Sequence, residues 1–79
     1  MNEVFSVYQD FPDGRYECVL LFADAETAMR QAFALIRSVG GLVGTTQRVY
    51  IVDGGDSIVF EWEYGKGIVW PEELVGRPV

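Results

Sequence analysis

The sequence predicts an α+β domain: two antiparallel hairpins forming a four-stranded sheet, with one helix on one face (ββαββ) and a short C-terminal helical turn. Three observations carry that prediction. Two pairs of alternating apolar stretches flank turn-forming segments, Phe-Pro-Asp-Gly-Arg in the first pair and Asp-Gly-Gly-Asp in the second. Between the pairs lies one run with apolar residues at helical spacing. The chain has 79 residues, which suits one domain with one core, spanning positions 1–79.

Residues 3–11 read as the first strand. Pro12 presets φ for the first central turn position, Asp13 suits the second, and Gly14 accepts the positive φ that follows, as in a type I turn with a glycine bulge. Residues 15–23 return, with Tyr16, Cys18, Leu20 and Phe22 expected on one face. Asp24 stands where a helix N-cap belongs. The helix follows, burying Ala25, Ala28, Met29, Ala32, Leu35, Ile36 and Val39, with Phe33 at the edge of the stripe. Gly40-Gly41 is expected to end it, because glycine accepts the left-handed C′ conformation.

The second pair of strands covers residues 45–52 and 57–64. With Gly54-Gly55 as the centre of a type I′ turn, Ile51 faces Ile58, Val49 faces Phe60 and Arg48 faces Glu61. That register puts the apolar residues on one side and an opposite-charge pair on the other. Gly65-Lys66-Gly67 reads as a second turn. The tail extends and then makes one helical turn, which Pro71, Glu72 and Glu73 suit.

Composition narrows the function classes. Apolar residues make up 49% of the chain and eleven residues are aromatic, a globular balance. There is no histidine and one cysteine, so neither an internal disulfide, a zinc site, nor a Ser-His or Cys-His nucleophile can be built. Cys18, between Glu17 and Val19, is expected to be a buried structural thiol rather than a reactive one. Twelve acidic against six basic residues give a net charge of −6, which disfavours direct binding to nucleic acid. No apolar run is long enough to span a membrane, and Met-Asn-Glu-Val-Phe-Ser lacks the basic region of a signal peptide. These features point to a cytoplasmic protein that needs no cofactor.

The segment 51–67 concentrates the unusual residues. Asp-Gly-Gly-Asp has too few oxygens for a calcium loop, and Gly-Lys-Gly lacks the spacing of a phosphate loop, so no metal site is expected. Glu61 and Glu63 share one strand face, roughly 6.6 Å apart by strand rise. A catalytic carboxylate pair needs a deep cleft as well, which a single small core leaves no room for, so no catalytic residue is assigned. Trp62, Tyr64 and Trp70 read as a packed cluster or an interface. Asp53, Asp56, Glu61 and Glu63 are expected along one hairpin, with Glu72 and Glu73 following and Arg48 offsetting them. This acidic side either meets water, as the outer face of an antiparallel sheet does, or meets a basic partner. The first hairpin is apolar on both faces, so the side away from the helix is expected to be covered by a partner or a second copy.

The segments "VYQDFPDGRYE" and "VDGGDSIVFEWEYG" resemble small proteins of phages and mobile elements. In size, acidity and lack of catalytic groups, the whole chain resembles inhibitors of the anti-CRISPR type, a group that shares a role and no motif. The resemblance implies a non-catalytic protein in the host bacterial cytoplasm. It would bind the basic nucleic-acid-binding surface of a CRISPR effector, a protein–RNA complex, and block recognition of target DNA. The contact would be Asp53, Asp56, Glu61, Glu63, Glu72 and Glu73, with Tyr50 as an anchor. The alternative is a homodimeric accessory module with no inhibitory role.

Overall fold

The computed structural model describes residues 4–79. Its strands are β1 (Phe5–Asp10), β2 (Tyr16–Ala23), β3 (Arg48–Val52), β4 (Ile58–Glu63) and β5 (Gly67–Trp70), with helices α1 (Ala25–Arg37) and α2 (Val39–Val43) between β2 and β3. A single 3-10 turn over Glu72–Leu74 follows β5. The α+β class and the helix-on-sheet arrangement stand, but the sheet has five strands rather than four. The extended tail is itself a strand, turned back on β4 by Gly65 and Gly67 at positive φ. The order is β2-β1-β3-β4-β5, antiparallel throughout, so β1 joins the two hairpins by pairing with β3.

The first turn forms as expected: the Gly14 amide donates to the Phe11 carbonyl and the Phe11 amide to the Arg15 carbonyl, with Gly14 at φ 90°. The return strand departs from a plain alternation. Val7 opposes Leu20 but Tyr8 opposes Cys18, so one residue is bulged out at Val19. Leu20 therefore joins Val7 on the helix side, while Cys18 and Tyr16 stay on the other side and are exposed. The expectation of a buried Cys18 is overturned; its thiol donates weakly to the Leu20 carbonyl at 3.6 Å. Phe22 is left-handed, at φ 56°, and 68% exposed instead of sharing a face with Leu20. These irregularities interrupt the free edge of β2 and make it a poor template for another strand.

The second hairpin differs at its turn. Neither Gly54 nor Gly55 has a positive φ; the left-handed residue is Asp56, at φ 63°. The Asp53 carboxylate accepts from the amides of Gly55 and Ser57, and the Asp56 amide donates to the Asp53 carbonyl. An Asx-stabilised loop thus replaces the two-residue type I′ turn, and Asp tolerates the left-handed position. The register moves by two: Val49 opposes Trp62 and Ile51 opposes Phe60, while Val52 opposes Ile58 across a bulge. A slip of two preserves the faces, so Val49, Ile51, Phe60 and Trp62 are all buried as expected.

Asp24 caps α1, accepting from the Thr27 amide at 2.7 Å. Ala28, Ala32 and Ile36 form the buried stripe, four residues apart, against Val7, Val49, Ile51, Phe60, Trp62 and Ile68 of the sheet. The helix ends two residues earlier than expected, at Arg37 rather than Val39. Ser38 closes α1, and its hydroxyl accepts from the Gly41 amide to begin α2. Gly40 and Gly41 lie inside α2, and Gly44, at φ 95°, ends it. Val39 is consequently 75% exposed and outside the core. One polar network crosses the interior: Thr46 donates to Gln9, whose amide donates to Glu17.

Hydrogen bonds from Thr27 hold the Asp24 carboxyl below its ordinary pKa. A depressed carboxyl stabilises the fold above its unfolded pKa, about 3.9, and that contribution is lost as pH falls through the folded value. Asp24→Asn keeps the cap and loses the ionisation. Its melting temperature is expected below that of the parent at neutral pH, the gap closing below about pH 4. Parallel melts across pH 2–7 check this, and a constant gap would refute it.

Candidate functional site

The sheet face away from α1 carries a file of aromatic and charged side chains. Alternation places it there: Val7, Val49, Ile51, Phe60 and Trp62 point to the helix, so their strand neighbours point away. The rows are Tyr16 and Cys18 on β2, Tyr8 and Asp10 on β1, Arg48 and Tyr50 on β3, and Glu61 and Glu63 on β4. Direct strand pairing sets Tyr16 beside Asp10, Asp10 beside Arg48 and Arg48 beside Glu63.

Tyr8 and Tyr50 stack at 5.3 Å with their planes 11° apart, and Tyr16 tilts against Tyr8 at 6.3 Å. The Arg48 guanidinium lies 4.1 Å from the centre of the Tyr50 ring. Its Nε donates to Glu61 at 2.7 Å and its Nη1 to Asp10 at 3.2 Å. Partial desolvation opposes the Arg48 charge, but the bonds to Glu61 and Asp10 outweigh it and raise its pKa. Partial burial, followed by the Asp10 charge, raises that of Tyr50. Beside this network is a groove of about 540 Å³, lined by Asp10, Phe11, Pro12, Gly14, Tyr16, Gln47, Arg48, Tyr50 and Glu63.

The acidic residues singled out in the sequence do not all converge. Asp53 and Asp56 occupy the β3–β4 turn, whereas Glu61 and Glu63 lie toward the other end of β4, beside the first hairpin's turn. Arg48 binds Glu61 and Lys66 binds Glu63, at 3.3 Å, so neither glutamate is a free charge. Asp53 is engaged by its own loop. Asp56, Glu72 and Glu73 are exposed. Tyr50 already stacks on Tyr8 and carries Arg48; the exposed ring of the file is Tyr16. The expected Trp62, Tyr64 and Trp70 cluster is divided: Trp62 is in the core, while Tyr64 and Trp70 are each a little under half exposed.

Sequence reasoning paired Arg48 with Glu61 but missed Asp10, Tyr8 and Tyr16. The β1–β3 pairing brings Asp10 and Tyr8 in, and Tyr16 follows through its place opposite Asp10 in the first hairpin; no local signal encodes the β1–β3 pairing. Arg48→Met would leave two partly buried carboxylates without their cation. The expected loss is about 2 kcal/mol in urea denaturation, with Glu61→Gln costing less in the Arg48→Met background than alone.

Among the described residues, no three acidic or cysteine side chains come together to hold a metal ion. No helix is long and apolar enough to cross a membrane. Comparisons with protein families, curated proteins and solved structures find no match to this chain.

Proposed function

We propose that this chain is a non-catalytic binding protein that docks on a basic, nucleic-acid-binding surface and thereby excludes nucleic acid from it. The observation that carries the reading is how the charges are distributed. Four of the six basic residues, Arg15, Arg30, Arg48 and Lys66, are in ion pairs within the chain. Among the described residues, Glu17, Asp24, Asp53, Asp56, Glu72 and Glu73 have no ion-pair partner. The outward field is therefore negative, and it attracts and orients a positively charged protein surface. β5 runs antiparallel to β4 and ends with Trp70 opposite Glu61, and the exposed Glu72 and Glu73 follow in the 3-10 turn after it.

The partner class follows from the resemblance: a CRISPR effector complex, whose guide and target lie in positively charged channels. Occupation of such a channel needs shape and charge and no chemistry. The test is competition. Binding of target DNA to effector complexes from the host is measured with and without this protein, and undiminished DNA affinity across them refutes the reading.

A variant with Asp56→Asn, Glu72→Gln and Glu73→Gln removes three exposed charges and leaves every ion pair described above intact. Asn is compatible with the left-handed backbone at 56. Binding to the basic surface is expected to weaken about tenfold at low salt, chiefly through slower association, and the difference is expected to shrink as salt rises. Equal association rates for variant and parent would count against the charge argument.

A further inference from the structure

We infer that the groove beside Tyr16 is a receptor for an arginine side chain of the basic partner, an inference that rests on the proposed function and specifies its contact. The protein already shows how this surface holds a guanidinium. Arg48 lies over the Tyr50 ring and donates to the Asp10 and Glu61 carboxylates, which flank it on the neighbouring strands. One strand over, Tyr16 sits directly opposite the same Asp10 across β1 and β2, and among the described residues no cation lies over its ring.

Three further facts fit an incoming guanidinium. Tyr16 is 68% exposed and contributes to the groove wall, so part of its ring is open to solvent. Asp10 gives one oxygen, Oδ2, to Arg48, and among the described residues its Oδ1 has no hydrogen-bond partner. Arg15, the cation next in sequence to Tyr16, is held by Asp13 at 2.7 Å. The balance of charge also favours a cation. Asp10, Glu61 and Glu63 against Arg48 and Lys66 leave one net negative charge around the groove. An arriving guanidinium stacks on Tyr16 and donates to Asp10 Oδ1. A lysine supplies the charge without the planar face that stacks, so arginine is preferred.

The test uses the full chain and two capped peptides, Gly-Arg-Gly-Arg-Gly and Gly-Lys-Gly-Lys-Gly, followed by NMR titration. The arginine peptide is expected to bind roughly three- to fivefold more tightly than the lysine peptide. The largest amide shifts are expected at Asp10, Gly14 and Tyr16. Tyr16→Leu, at an exposed position, is expected to reduce arginine binding to the lysine level, and Tyr16→Phe to retain the preference. Equal affinity for the two peptides, no binding of either at millimolar concentration, or shifts centred on the Asp53–Asp56 turn would each overturn the inference. The effector measurement separates the two levels. Full DNA competition by Tyr16→Leu refutes the arginine receptor and leaves the proposed function standing, whereas no competition by the parent refutes the proposed function itself.

Discussion

Phe60→Ala is expected to remove about 4 kcal/mol of stability, the largest loss from any single side-chain truncation in this chain. Phe60 is 1% exposed and is the largest of the fully buried side chains. It lies on β4 facing α1, where its ring meets Phe33 edge-to-face at 5.8 Å. Truncation removes the buried ring and leaves a cavity between sheet and helix that neither layer can close without moving. The aromatic pair adds roughly 1 kcal/mol beyond burial. A domain of this length has roughly 4–12 kcal/mol in all, so the loss takes about a third of the total or more. The midpoint of thermal unfolding should fall by roughly 15–30 °C, measured by circular dichroism. Phe60→Leu fills most of the space and is expected to cost about 1–2 kcal/mol. A loss below about 1 kcal/mol for the alanine variant would mean that helix and sheet do not meet at this residue.

Gly41→Ala is the second large effect, and here local and tertiary reasoning predict opposite signs. Gly41 is inside α2 and is not left-handed. By helix propensity alone, alanine would stabilise this position by about 1 kcal/mol. In the fold, a Cβ on Gly41 would stand 2.1 Å from the Ile36 carbonyl oxygen and 2.7 Å from that of Leu35. Both are backbone atoms of the last turn of α1, so no change of rotamer relieves the clash. The two helices must separate around Ser38, at an expected cost of about 3 kcal/mol. Gly40→Ala makes a milder comparison, since its nearest obstacle is the Thr46 hydroxyl at 2.8 Å, a side-chain atom. Urea denaturation of both variants settles the sign, and a stabilised Gly41→Ala would refute the close approach of α2 to α1.

The acidic residues divide in the same way between local and distant interactions. Asp56, Glu72 and Glu73 are exposed where the sequence places them, because loops and turns project their charges whatever the strand order. Glu61 and Glu63 looked similar in the sequence and differ in the fold. Each lies next to a cation, and Glu61 has a side chain only 18% exposed. Reversing their charge would disturb the Arg48 network and so mix stability with recognition.

Residue patterning is enough for β1–β4, for α1 and for most of their inward faces, but not for β5, α2 or the bulged face of β2. Period-two and period-3.6 patterning set which residues enter the core, and that pattern survives a two-residue slip of register because strand faces repeat every two residues. The sequence also set the Asp24 cap and the Pro12–Gly14 turn, which depend only on neighbours a few residues apart. The second turn is just as local, since the Asp53 carboxylate binds amides two and four residues on and with them sets the register. Other features arise only from tertiary contacts between separate elements. The fold of α2 back onto α1 gave Gly41 its role. The pairing of β1 with β3 brought Asp10 to Arg48 across 38 residues of chain and set Tyr8 against Tyr50. Such contacts cost loop-closure entropy that is recovered only through the packing of the whole sheet, and no local sequence signal records them.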